Sequence, residues 1–432
     1  MKKLLFVFVL LLAAAGAACG YFFLTDSVKP TIALVPDSAV AAPKREFTLT
    51  LRDAGSGLKK AKVTVAQGDK QVTLLDQSYT APVKDAVETF TLEPAGLQDG
   101  PFTLTVTATD RSLANFGSGN TVTLQKQLTI DTTPPRVEVL SLAHNVRQGG
   151  AGAVAFKVNE DVEKAGVQVG DHFYPAFKQE NGTYHGLFLF PFNMDPKDFS
   201  PVVKVVDKAG NTATASFRFR GIPRKFREDT INISDSFLAS KMPQYYDIIK
   251  DTRDNLKIYL RVNNELRKEN SVYLRELGEK TSPTMLWDKK IFLRLPNAAT
   301  KARFGDHRTY FYQGQEIDQQ THMGVDLASL EGAPVPAANT GKVVFAGFLG
   351  IYGNTIIIDH GLGLESLYAH LRQIDVKVGQ DVKKGEIIGK TGVSGLAGGD
   401  HLHFGILLFG EATSPIEWWD QHWIDDNILS KF

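Results

Sequence analysis

The chain has 432 residues, of which 43% are hydrophobic and 22% charged; this is the composition of a folded globular protein and excludes a disordered one. Lysine plus arginine and aspartate plus glutamate balance at 48 each, so no global field argues for a nucleic acid or an acidic partner. The length calls for two to four domains.

Lys2 and Lys3 precede an uncharged, largely apolar run from Leu4 to Leu24 that ends at Thr25 and Asp26. About 20 such residues cross a bilayer core of roughly 30 Å. The lysines before the run and the acid after it place the bulk of the chain outside the cytoplasm. Residues 1–26 are therefore expected to form an N-terminal transmembrane helix, single-pass in the inner (cytoplasmic) membrane, with the rest in the periplasm or cell envelope. Two rivals stand beside this. Ala17-Ala18 would suit a signal peptidase, and Cys19 before Gly20 would suit a lipoprotein, although Gly16 occupies a position usually aliphatic there. No cysteine follows Cys19, so the exported part must hold by core packing without internal disulfides.

From 27 to about 220 the sequence reads as strands. Glu46–Leu51, Lys62–Val65 and Phe102–Ala108 alternate apolar with polar residues, are rich in β-branched types, and are bounded by Gly, Asp, Asn or Pro. The pattern also repeats at a period of roughly 100 residues, a single-domain size. Pro30-Thr31-Ile32 is echoed by Pro135-Arg136-Val137, and Val106-Thr107-Ala108-Thr109-Asp110 by Val203-Lys204-Val205-Val206-Asp207. Two β-sandwich modules, 27–131 and 132–221, are expected, joined by the stiff segment Asp131-Thr132-Thr133-Pro134-Pro135. With its Pro-Pro entry and Asp207-Lys208-Ala209-Gly210-Asn211 turn, this region resembles the tandem immunoglobulin-like modules of bacterial surface proteins. That resemblance implies a spacer or a wall-polymer binder.

Residues 222–285 form a connector. It opens with the basic stretch Pro223-Arg224-Lys225-Phe226-Arg227, and Ser234-Asp235-Ser236 is a helix cap. Between Gln244 and Leu277 apolar residues recur at helical spacing, with charged residues between them. Amphipathic helices are expected there, free to pack on a neighbouring domain, cover its groove or bind a protein partner.

Strands return from about Leu286, and seven of the ten histidines fall between His307 and His422. His401 and His403, two apart in a strand, project to one face, and His322 and Asp326 can converge on one point. Three nitrogen or oxygen ligands with an open fourth position are the arrangement of a catalytic zinc. His307 is expected to have a surface or structural role, His360 to be a structural turn residue, and His422 to belong to a packed aromatic tail.

A run of ordered motifs surrounds these histidines: Phe304-Gly305, His322-Met323-Gly324-Val325-Asp326, Tyr352-Gly353-Asn354, Leu367-Tyr368-Ala369-His370 and His401-Leu402-His403-Phe404. Over about 304–415 the chain resembles the lysostaphin/LytM-type zinc metallopeptidases, which cut peptide cross-links of bacterial peptidoglycan. The resemblance implies that His322, Asp326 and His403 hold Zn²⁺ and that His401 and His370 flank its water; His401 is expected as general base and His370 as oxyanion stabiliser, with the two roles open to exchange or sharing. It further implies a compact antiparallel β metallopeptidase domain over 286–432, with a peptidoglycan peptide as substrate. The rival is a latent or catalytically silent wall-binding scaffold that regulates other hydrolases; relatives of that kind lack some of these five residues, all present here. One departure is the approach to His401, Gly395-Leu396-Ala397-Gly398-Gly399-Asp400, whose glycines predict a mobile rim and whose Asp400 adds a nearby carboxylate.

Overall fold

In Phe47–Arg52 the apolar residues Phe47, Leu49 and Leu51 alternate with Thr48, Thr50 and Arg52, and the strand buries the first three. The same period-two logic builds most of the molecule. The computed structural model describes residues 2–432, apart from the side chains of 2–9, 22–25 and 116. It divides into two compact units: Met1–Pro135 with Glu160–Glu163 and Val206–Ala213, and a second of Arg136–Asn159, Lys164–Val205 and Thr214–Phe432.

In the first unit, Thr31–Val35, Phe47–Arg52 and Asp85–Phe90 form one sheet. Val40–Ala41, Thr121–Ile130, Gly100–Asp110, Leu58–Gln67 and Lys70–Val83 form another. Leu49, Leu51, Val63, Phe102 and Val106 share one core. In the Asp207 turn one carboxylate oxygen accepts from the backbone N–H groups of both Gly210 and Asn211, which is why that motif reverses the chain.

A helix runs Lys2–Thr25. Part of the expected membrane anchor lies outside the described residues, since the side chains at 2–9 and 22–25 do. Among the described residues no helix is long and apolar enough to cross a membrane.

The second unit opens with Ala151–Val158, paired antiparallel with Tyr184–Leu189 on one side and Val137–Val139 on the other. The connector follows. Its first element is the strand Glu228–Ile233, in parallel register with His307–Tyr312, which pairs antiparallel with Gln315–Thr321. Ser234 caps helix Asp235–Lys241, its Oγ accepting from Phe237 N at 3.1 Å. The expected helical stretch is interrupted: a 3₁₀ turn, Met242–Tyr245, leads into irregular chain before Asp254 caps Asn255–Arg261. A π turn, Val262–Leu266, joins this to Arg267–Gly278. The apolar face of these helices is buried within the chain, with Met242, Tyr245, Ile258, Tyr259 and Val262 packed beside Tyr310 and Ile351.

After the connector the chain stays irregular until Ala299–Ala302, later than the expected onset of strands near Leu286. That strand begins an eight-stranded sheet, continued by Val325–Ala328, Leu402–Leu408, Leu364–Leu371, Asn354–Asp359, Gly341–Phe348 and Asp381–Val382, with Glu411–Thr413 also pairing to Leu402–Leu408. The pairings found between its strands are antiparallel. Leu364–Leu371 and Leu402–Leu408 are buried at every position, and these two strands carry the site.

Candidate metal centre

Strand register assembles the site. Asp326 lies directly opposite His403 across one strand pair, and His403 lies opposite Ala369 across the next, beside His370. His401, two residues before His403, forms an isolated bridge with Gly392. His322 enters from the end of Gln315–Thr321, its Nδ1–H donating to Arg303 O at 3.0 Å.

Three atoms converge. His322 Nε2 is 2.9 Å from Asp326 Oδ1 and 3.0 Å from His403 Nδ1, and His403 Nδ1 is 2.9 Å from the same carboxylate oxygen. One proton can serve only one of these three contacts, so three lone-pair-bearing atoms around a point form a set that can hold a metal ion. Burial opposes ionisation of Asp326, but the three surrounding histidines more than offset it and hold its carboxyl well below the usual range. The opposite face of the His403 ring explains a glycine. Among the described residues His403 Nε2 is buried without a hydrogen-bond partner, and a Cβ on Gly324 would stand 2.5 Å from it and 2.7 Å from Phe404 O. No side chain fits there.

His401 and His370 flank this point without joining it. His401 Nε2 is 3.6 Å from Asp326 Oδ1, and its Nδ1–H donates to Gly399 O at 2.8 Å. His370 sits in the left-handed region, φ +64°, with its ring centroid 4.9 Å from that of His401 and its Nδ1–H donating to Ser394 O at 2.9 Å. A non-glycine residue held there is strained, a state that persists only where the surroundings impose it. Each carbonyl partner fixes the ring so that Nε2 remains free. Burial and the neighbouring His401 and His403 push His370 well below the ordinary imidazole value; burial also lowers His401, but Asp326 overrides this and raises it.

The other expectations divide. His307 bonds Thr321 on its strand, and His360 is fully buried between Thr340 O and Ser366 Oγ. Asp400 is committed away from the centre, accepting from Thr391, Gly332 and Arg372. The rim before His401 is open at Gly398 and Gly399 but pinned at Gly395, whose N–H and C=O are both bonded to the Gln244 amide at 2.9 Å.

Sequence reasoning missed Arg308 and left the connector's place open among three options. Arg308 Nη2 donates to Asp326 Oδ2 at 3.2 Å. The centre also opens into a cavity of about 680 Å³ whose second wall is the connector, including Phe237, Lys241, Tyr259 and Arg267. The neighbouring His307 gave no hint of Arg308, whereas the connector's helical periodicity was the signal that some apolar wall existed.

Comparison with known proteins agrees with this geometry. Residues 320–415 match the model of Peptidase family M23. The chain is 40% identical over 95 residues to the DD-carboxypeptidase/endopeptidase Mpg of Neisseria meningitidis, covering 22% of each protein. It is 40% identical over 87 residues to the peptidoglycan DD-endopeptidase ShyB of Vibrio cholerae, covering 20% of each. The chain thus spans only about a fifth of the length of these curated relatives. The crystallised catalytic domain of lysostaphin from Staphylococcus simulans is 33% identical, covering 29% of this chain and 94% of that domain, with a TM-score of 0.26. Motif, site and match coincide over one stretch: the C-terminal part of this chain is an M23 peptidase domain.

Proposed function

We propose that the protein is a zinc metalloendopeptidase of the cell envelope that hydrolyses peptide cross-links of peptidoglycan. The observation that carries this reading is the convergence of His322 Nε2, His403 Nδ1 and Asp326 Oδ1 within 3.0 Å, flanked by two imidazoles with free Nε2 atoms. Two imidazoles and a carboxylate suit zinc, and His322 is backed by a carbonyl in the way that metal-ligating histidines are. Zinc held there would lower the pKa of water towards 7 and polarise the scissile carbonyl.

The chain's own residues do the rest. His401, nearest the centre, takes the proton of the attacking water through Nε2 and passes it to the leaving amine. His370, kept neutral by burial and with its Nδ1–H spent on Ser394 O, presents a bare Nε2 that can share the proton-accepting role, whereas oxyanion stabilisation would need its protonated form. The presence of all five residues supports an enzyme over a silent scaffold. The N-terminal apolar run supports attachment to a membrane, by the helix itself or through lipid on Cys19, with the sandwich modules at 27–131 and 132–221 as spacer and the domain displayed outside the cytoplasm.

The test is the full chain on defined cross-linked muropeptides. His403→Ala is expected to lose zinc and activity together. His401→Ala and His370→Ala are expected to keep zinc and lose about 10²–10⁴-fold in kcat. A wild-type protein that binds no zinc, or cuts no cross-link when loaded, would remove the proposal.

A further inference from the structure

His370 depends on a carbonyl from outside its own strand. It stands at φ +64° near the end of Leu364–Leu371, and its Nδ1–H donates to Ser394 O at 2.9 Å. A neutral imidazole carries one N–H, and the acceptor beside it decides which nitrogen keeps the proton. Ser394 O keeps it on Nδ1, so that Nε2 stays bare beside the centre. Whatever orients the Ser394 carbonyl therefore decides what His370 can do.

That carbonyl belongs to the Ser394–Gly395 peptide unit, and the N–H of the same unit is held by the connector. Gln244, in the 3₁₀ turn Met242–Tyr245, accepts from Gly395 N through Oε1 at 2.9 Å. Its Nε2 donates to Gly395 O and to Lys241 O, each at 2.9 Å, which spends both amide hydrogens and locks the side chain to its own turn. A peptide unit is planar and stiff, so fixing its N–H fixes the direction of its C=O. Gln244 Oε1, Gly395 N–H, Ser394 C=O and His370 Nδ1–H thus form one continuous relay, each hydrogen bond polarising the next.

The other side of this loop is packed backbone to backbone. A Cβ on Gly395 would stand 2.5 Å from both Gly353 N and Ile351 O, and Ser394 Oγ donates to Leu371 O and accepts from Asn354 N. The connector closes the loop against that wall. We infer that Gln244 is a positioning residue for the hydrolysis: acting through the Ser394–Gly395 peptide, it holds His370 in the Nδ1–H tautomer with Nε2 ready to accept a proton. Gln244 is not among the residues lining the cavity, so it acts through His370 and not on the substrate. The inference rests on the hydrolase reading above and adds a residue of the connector to the machinery of the same site.

The test uses the zinc-loaded full chain, with its histidines isotopically labelled, on a defined cross-linked muropeptide. Gln244→Met keeps the length of the side chain and removes its amide. The nitrogen NMR signals of His370, assigned by their loss in His370→Ala, should show Nδ1–H alone in the wild type and a share of Nε2–H in the variant. Its kcat should fall about 10-fold or more with KM and zinc content held, since misplacing a reacting group by about 1 Å costs on the order of 10²-fold. Gln244→Glu keeps the acceptor for Gly395 N but loses the donor, and should fall between. Tyr246→Phe removes a connector hydrogen bond to Asn255 away from this loop, and should leave tautomer and kcat unchanged. A wild-type tautomer in both Gln244 variants, or an equal fall in kcat in Tyr246→Phe, would overturn the assignment. A wild type that cuts nothing would remove the hydrolase reading, while the tautomer signals would still decide the role of Gln244.

Discussion

Asp326 presents one carboxylate oxygen to two imidazoles because Arg308 holds the other. Arg308 is itself steadied from the connector, with Asp229 Oδ2 3.8 Å from its Nε and paired to it in register across the parallel strands. Outer partners of this kind orient a ligand and tune its affinity, and losing one typically weakens metal binding 10–100-fold. Arg308→Gln should therefore weaken zinc binding by about that factor in chelator competition, while Arg308→Lys, which keeps the charge but not the planar fork, should fall between. Unchanged zinc affinity in the glutamine variant would show that Asp326 needs no such clamp. The convergence of His322, Asp326 and His403 could be expected because two-residue and four-residue spacings are local facts. Arg308 was not, since its meeting with Asp326 depends on a strand pairing that no local pattern announces.

The strand Leu364–Leu371 is buried along its length, and that burial includes an acid. Glu365 is 2% exposed and accepts from Gly410 N at 3.0 Å. Burial pushes its carboxyl up to about 8, against the Gly410 hydrogen bond and with help from Asp359. A folded value above the unfolded 4.5 means the folded state binds the proton more tightly. The associated stability is complete below pH 4.5 and is lost as pH rises through about 8. Glu365→Gln should remove that decline, on the order of 2–4 kcal/mol across the window. Denaturant titrations at several pH values check it, and a variant with the wild-type pH slope would refute it. Elements were unevenly legible. Alternating strands and the Ser234 cap could be read directly, whereas Glu228–Ile233 passed for linker beside its basic neighbours. Its alternation of Thr230 and Asn232 with Ile231 and Ile233 acquires meaning only when His307–Tyr312 pairs with it.

In the second unit as a whole, the seven-stranded sheet that holds Tyr174 and the peptidase sheet are cross-linked by hydrogen bonds. Tyr174 OH donates to Glu411 Oε2 at 3.0 Å, His172 Nδ1 lies 2.9 Å from Glu411 Oε1, and Ser414 N and Thr413 Oγ1 both donate to Gly149 O. These bonds join sequence positions more than 230 residues apart. They attach the site-bearing sheet directly to the strands around Tyr174, with no flexible tether needed to position it. The attachment is partly buried around Tyr174, whose phenol is raised by burial and by Glu411, so that bond is shielded from water. A shielded hydrogen bond to a carboxylate contributes roughly 1.5–3 kcal/mol. In a double-mutant cycle, Tyr174→Phe and Glu411→Gln should then couple by about 1 kcal/mol or more. Residues 136–432 should also lose the signals of the Tyr174 sheet and of the peptidase sheet in one denaturation step when each is followed by its own probe. Additive substitutions together with two separate transitions would mean that the contacts are incidental, and that the metal centre is carried by a domain independent of the strands beside it.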